Sequence, residues 1–275
     1  DMLSRTAFGA AYARAFVDEH SILFSLPMYH VFGYVEGMLA VPWVGGSIMP
    51  QLRFDAEASL EAIEKYSICD ALMIPTMTLA LLDAASRKSY DLASLHFMLA
   101  SGGRAPVRIW DQVRDVLGVR EITTGYGMTE TTATAVLTLP NDPIVRVKTT
   151  NGCLRNVGPA GDLQADSLLV NYKAIDPDSG QVLPPGTTGE LVAKGIGVTS
   201  GYYDMPEATI AAFTADGWLR TGDLGSIDSA GYLSLQGRLK DSYRCGGEQV
   251  MPTEVEDVLT SHPEVSQAHV VPITE

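Results

Sequence analysis

The segment TGYGMTE, Thr124 to Glu130, brings glycines, an aromatic ring, a hydroxyl and a carboxylate together in quick succession. Gly125 and Gly127 would let backbone amides approach a phosphate, and Tyr126 offers a flat face for stacking. Thr129 can donate to a phosphate oxygen, and Glu130 can hold a hard cation such as Mg²⁺. Taken alone, the segment reads equally well as a βα turn whose Thr129 or Glu130 caps a helix. Downstream, RTGDLG puts Asp223 in a turn between β segments, and GRLKD sets Arg238, Lys240 and Asp241 together. A buried carboxylate beside a guanidinium suits the two hydroxyls of a ribose, one group accepting and the other donating. On an open surface the same pair would be a salt bridge worth about 0–1 kcal/mol.

These residues need a scaffold. From Ser21 to Gly125 short apolar runs alternate with amphipathic segments, the pattern of βα units that build a parallel sheet. Strands are predicted at Ile22 to Leu26, Ser47 to Met49, Ala71 to Ile74, Phe97 to Ala100 and Glu121 to Thr123. Leu60, Ile63 and Tyr66 share a helical face after a cap at Asp55, and Ile109, Val113, Val116 and Leu117 share another before Gly118. Ligands of such sheets sit beyond the carboxyl ends of the strands. The loops MYHVFG, SGGRAP and TGYGMTE, each after an apolar run, would therefore face one crevice.

After about Thr150 turn pairs such as Pro185-Gly186, Asp216-Gly217 and Ala230-Gly231 punctuate short β-rich segments. The expected fold class is α/β: a parallel-sheet βα part over residues 1–150, a β-rich subdomain over 151–237, and the hinge and beginning of a small α+β domain over 238–275. In that last part a short helix is expected around Glu254 to Leu259 and a strand at Ala268 to Val271. A helix is also expected from Leu3 to Val17, and a first residue that is Asp rather than Met makes the start look like a cut edge.

Composition narrows the partners. With 46% hydrophobic residues the chain can build a sizeable core, and a net charge of −14 disfavours capture of nucleic acid or an anionic membrane. Small molecules are the better class. No uninterrupted apolar run approaches the roughly 20 residues of a membrane span, since the longest candidate, Ala71 to Ala85, contains Pro75. Cys69, Cys153 and Cys245 form no CxxC pair, which argues against a zinc ribbon or a disulfide framework and fits a reducing cytoplasm.

The order SLPMYHVFG, ASGGRAP, GYGMTE, GELVAKGIGVTSGYYDMPEAT, WLRTGDLG and GRLKDSYRCGGEQVMPTEVE resembles the successive core motifs of the acyl-activating (ANL) superfamily, in a style nearest to acyl-CoA synthetases. The resemblance implies an AMP-forming acid–thiol ligase. A carboxylate attacks the α-phosphorus of ATP to give acyl-AMP and pyrophosphate, and a thiol then displaces AMP. By motif it implies that Tyr126 stacks on adenine, Thr129 bonds the α-phosphate, Glu130 ligates Mg²⁺, and Asp223 with Arg238 holds the ribose. Gly103, Arg104 and Ala105 would line the adenine edge, where relatives carry a glycine, alanine and proline run and this chain inserts the arginine.

The same resemblance places His30 between the acyl pocket and the thiol tunnel, and Tyr34, Gly37, Met128 and Thr132 where relatives build the acyl pocket. None of these four is charged, so a neutral acyl or aryl tail is expected. Lys240 matches the hinge about which the C-terminal domain swings between half-reactions, and Arg244, Gly246 and Gly247 resemble the backbone that approaches the thiol cofactor. The implied acceptor is coenzyme A, with a carrier protein as runner-up; a non-catalytic binding module of the same fold is the alternative of another class. Relatives also carry an upstream phosphate loop and a downstream lysine that these 275 residues do not contain. Losing one such donor commonly costs about 10²- to 10³-fold in rate, so the 275 residues alone are expected to adenylate weakly or not at all.

Overall fold

The computed structural model describes the chain apart from residues 104–106, 246–247, 261, 263, 266–267 and 272–275. By contact it divides into two units, the first comprising Asp1–Asn171 with Gly195–Ser200, the second Tyr172–Lys194 with Gly201–Glu275.

In the first unit, strands β1 (Ser21–Phe24), β2 (Ser47–Pro50), β3 (Asp70–Met73), β4 (Phe97–Ala100) and β5 (Glu121–Thr123) form one sheet in the order β2-β1-β3-β4-β5. Every pairing is parallel. Alternation along the strands divides the core in two. Leu23, Met73 and Met98 pack on one side with Leu60, Ile63, Leu81, Trp110 and Val113. Ile22, Phe24, Leu72 and Leu99 pack on the other with Phe32, Val41 and Leu137. Burial on both faces is why these strands read as apolar runs rather than as alternating ones.

The helices are α1 (Met2–Ala13), α2 (Ala56–Tyr66), α3 (Pro75–Arg87), α4 (Ile109–Leu117) and a short α5 (Ile144–Thr149). The Asp55 cap is present, its Oδ1 accepting from Ala58 N at 2.8 Å, and Gly118 ends α4 in the left-handed region at φ 72°. Tyr66 and Val116, expected on buried faces, are exposed, and Trp110 fills the corresponding space beside Val113. Helix α1 stops short of Val17 because Arg14 turns into the core and Ala15 takes a φ of 52°. The run after Ala71, read above only as an interrupted apolar stretch, is β3 followed by α3, with Pro75 in the first turn, where its missing N–H costs nothing.

A second, antiparallel sheet holds β6 (Gly125–Met128), β7 (Ala133–Leu137) and β8 (Cys153–Leu154), in the order β6-β7-β8. TGYGMTE is thus a strand running into a 3₁₀ turn at Thr129–Thr131, where the sequence suggested a loop. Between β1 and β2, Phe32–Leu39 winds as a π-helix and Val41–Val44 as a 3₁₀ turn.

The second unit is built on an antiparallel sheet of β9 (Asn171–Ile175), β10 (Gly189–Lys194), β11 (Leu219–Ile227) and β12 (Leu233–Arg238), in the order β12-β11-β10-β9. Gly186, Gly217 and Gly231 take φ values of 81°, 80° and 83°, as the turn pairs required. Helix α6 (Pro206–Ala212), the hairpin β13 (Tyr243–Cys245) and β14 (Glu248–Val250), and helix α7 (Pro252–Thr260) complete it. Residues 268–271 belong to no strand among the described residues. The whole is the mixed α/β fold expected, parallel βα units first and antiparallel β after. Among the described residues no helix is long and apolar enough to cross a membrane.

Candidate functional site

The loops carrying His30, Gly103 and Thr124 follow β1, β4 and β5, so they leave the sheet at its carboxyl edge, as expected. Gly103 is exposed there; Arg104 and Ala105 lie outside the described residues. Ser101, at the end of β4, donates its hydroxyl to Gly125 O at 2.6 Å and ties the second loop to the base of the hairpin.

That hairpin holds Thr129 and Glu130 at its tip, and its backbone is secured from several directions. Gly127 lies opposite Thr134 beside a bulge, and a Cβ there would sit 1.7 Å from Ala133 O, so only glycine allows the close approach. Thr131 Oγ1 accepts from Met128 N at 3.0 Å. Thr199 N donates to Glu130 O at 2.7 Å, and Thr132 Oγ1 donates to Gly197 O at 2.9 Å. These bonds hold Thr132 and Ala133 in the left-handed region, at φ 59° and 74°, a conformation costing about 1–3 kcal/mol per non-glycine residue. The result is an exposed Thr129 hydroxyl beside a half-buried Glu130, with Tyr126 and Gly125 buried and Gly127 exposed.

Two buried polar side chains support the same hairpin, and no local pattern announces either. Glu36, on the π-helix, accepts from Thr134 N at 3.3 Å through Oε1, and Arg155 donates Nη2 to Thr134 O. Both side chains are buried. Their partner lies 98 residues away for Glu36 and 21 for Arg155, distances over which spacing carries no signal.

The mouth of a cavity of about 350 Å³ is lined by Leu3, Met28, Tyr29, His30, Tyr34 and Thr129. His30 and Tyr34 therefore line the same cavity as Thr129. His30 is exposed, with Nδ1 accepting from Phe32 N at 3.2 Å. Gly37, Met128 and Thr132 do not line this cavity. Gly37 packs where a Cβ would stand 2.8 Å from the Phe24 ring, and Thr132 is turned toward Gly197.

In the second unit, Asp223 stands inside β11, where the sequence suggested a turn, directly across from Arg238 on β12. Arg238 Nε lies 3.2 Å from Asp223 Oδ1, the carboxylate almost wholly buried and the guanidinium more than half exposed. The pair thus anchors its acid in the sheet and extends its base outward. Lys240 is exposed on the 3₁₀ turn Leu239–Asp241. Arg244 lies on β13; its side chain, like Gly246 and Gly247, falls outside what the structure describes. Among the described residues no group of three or more His, Cys, Asp or Glu side chains could hold a metal ion. Glu130 alone still fits Mg²⁺, an ion commonly held by one or two carboxylates plus substrate phosphates.

The model of the AMP-binding enzyme family matches residues 2–203. A 3-[(3aS,4S,7aS)-7a-methyl-1,5-dioxo-octahydro-1H-inden-4-yl]propanoyl:CoA ligase of Mycobacterium tuberculosis is 35% identical over 99% of this chain and 49% of its own length. A mitochondrial medium-chain acyl-CoA ligase of Danio rerio is 32% identical over 92% of this chain and 40% of its own. Among solved structures, o-succinylbenzoate coenzyme A synthetase of Bacillus subtilis in complex with AMP superposes with a TM-score of 0.84 at 27% identity, covering 100% of this chain and 52% of that one. The chain spans about half the length of the curated relatives it matches.

Proposed function

Since the chain belongs to the AMP-binding enzyme family, we propose that it serves an AMP-forming acid–thiol ligase, which joins a carboxylic acid to coenzyme A through an acyl-adenylate. The reading rests above all on the hairpin tip, where a hydroxyl and a carboxylate are presented together on a backbone fixed by long-range bonds. Relatives named as CoA ligases support the coenzyme as acceptor. Their acids differ, and this chain's acid is left open.

Thr129 donates to the α-phosphate, and the preset geometry means that little ordering is required when the nucleotide arrives. Glu130 would hold Mg²⁺, and the ion would supply positive charge against the phosphates. Tyr126 packs beside the adenine, with Gly125, Gly127 and the Gly103, Arg104 and Ala105 stretch giving backbone access around the base. Asp223 accepts from the ribose hydroxyls, and Arg238 donates. His30 and Tyr34 border the acyl cavity with Thr129. Lys240 marks the hinge, and Arg244, Gly246 and Gly247 approach the thiol cofactor.

Calorimetric titration of the purified protein with ATP and Mg²⁺, beside Glu130→Gln and Asp223→Asn, tests the reading, with an acid panel scored for AMP release to find the substrate. Nucleotide binding that weakens in both variants is expected. Absence of ATP and AMP binding, or binding indifferent to both changes, would refute it.

A further inference from the structure

Strand β8 keeps register with β7 only at Leu137 and Val136, after which Asn156 turns away to bridge Leu168. Thr134, nearer the hairpin tip, is therefore left without a β8 residue beside it. Two side chains take the place of that missing strand. The Thr134 N–H donates to Glu36 Oε1 at 3.3 Å, and its carbonyl accepts from Arg155 Nη2.

The residue so held directly follows Thr132 and Ala133, the two non-glycine residues with φ of 59° and 74°. Such conformations persist only where the surroundings over-determine them. On the tip side of this turn, Thr132 Oγ1 is bonded to Gly197 O and Glu130 O to Thr199 N. On the other side the restraint falls to Glu36 and Arg155. Releasing Thr134 would let the turn relax, and Thr129 and Glu130 would shift with it.

Glu36 also belongs to the element that walls the cavity. Its π-helix, Phe32–Leu39, carries Tyr34, which lines the cavity with Thr129, and Val35, which packs with Ala7 and with Ala133 of the strained turn. One short segment thus touches both the cavity wall and the base of the hairpin. Stability alone accounts poorly for a glutamate here. The side chain is fully buried, its one bond is long, and Oε2 has no hydrogen-bond partner among the described residues. Burying a polar group whose bonding capacity is half met costs more than it returns.

We propose that Glu36 is a positioning residue. Acting through Thr134, it fixes the turn that presents Thr129 and Glu130, and it registers that tip against the cavity wall formed by its own helix. Arg155 is the other half of the clamp. What the tip does once positioned rests on the ligase reading; the positioning itself does not.

The test compares wild type with Glu36→Leu, which fills the space without an acceptor, and Glu36→Gln, which keeps an oxygen for the Thr134 N–H. Amide hydrogen exchange of the full-length protein, followed by mass spectrometry over residues 129–135, reads the tip, and calorimetric titration with ATP and Mg²⁺ reads its use. Glu36→Leu should speed exchange over that stretch about tenfold and leave the rest of the first unit unchanged. It should also weaken ATP affinity about tenfold at unchanged stoichiometry, while Glu36→Gln stays within about threefold of wild type in both readouts. Exchange in Glu36→Leu at the wild-type rate would overturn the proposal, as would a Glu36→Gln as impaired as Glu36→Leu. A fall in stoichiometry with affinity kept would also overturn it, since that marks a merely structural role. If wild type itself binds no ATP, the ligase reading fails and exchange alone decides the proposal. Should Glu36→Leu not fold, Glu36→Asp, which withdraws the carboxyl group by one methylene, takes its place with the same expected losses and the same refutations.

Discussion

Replacing Asp70 by Ala tests how much of the first unit's stability rests on one buried anion. Asp70 is fully buried and Arg14 is 2% exposed, so the substitution strands a guanidinium where water cannot reach it. Breaking a buried pair by removing one partner costs about 3–5 kcal/mol. The lost acceptor for His20 Nε2 acts in the same direction. Against a total stability of about 5–15 kcal/mol, that is a large share. With a urea slope of about 2 kcal/mol/M, the midpoint should fall by roughly 1.5–2.5 M. The companion variant Arg14→Met with Asp70→Asn removes both charges and leaves His20 an amide oxygen to bond, so it should recover most of the loss. Urea unfolding followed by circular dichroism at neutral pH reads both. An Asp70→Ala midpoint within about 0.5 M of wild type would refute the reasoning, as would a double variant no better than the single.

Other expectations are equally direct. Gly127→Ala forces a Cβ to within 1.7 Å of a backbone oxygen, so β6 must separate from β7; we expect destabilisation of about 1–3 kcal/mol or more by urea unfolding, with loss of ATP binding by calorimetry. Asp223→Asn keeps the shape of the cross-strand pair but removes its charge, and should weaken ATP binding about tenfold or more while leaving the thermal midpoint within a few degrees. The His20 proton binds more tightly in the folded state, since the imidazole is raised. Its stabilisation is therefore complete below the ordinary value of 6.5 and fades as pH climbs through the raised folded value. Urea midpoints against pH should show that decline in the wild type and not in His20→Gln.

The parallel sheet was legible because its strands are buried on both faces and are separated by helices with readable ends, such as Asp55 and Gly118. Helix α3 was missed because Pro75 looked like an interruption, when in a first turn it is a start signal. The length of α1 was overestimated because nothing local announces that Arg14 will leave the helix for a carboxylate 56 residues away. The same limit hid Glu36 and Arg155. Motif order supplied His30, Thr129 and Glu130, but the strand geometry around Thr129 and Glu130 depends on Glu36, Gly197 and Thr199, contributed by distant segments. Asp223 looked like a turn residue because glycines flank it, whereas Gly222 and Gly225 serve a bulged strand.

The π-helix at Phe32–Leu39 bears on how such a pocket changes over evolutionary time. Its i→i+5 winding accommodates an extra residue without lengthening the loop between β1 and β2. A one-residue deletion could be absorbed by reverting to α geometry, rotating Tyr34 relative to Glu36 while both ends of the segment stay fixed. Homologues differing there by a single residue would then differ in how Tyr34 lines the cavity without differing in fold. Length variation at this one turn is the first place to look for differences in the cavity's shape.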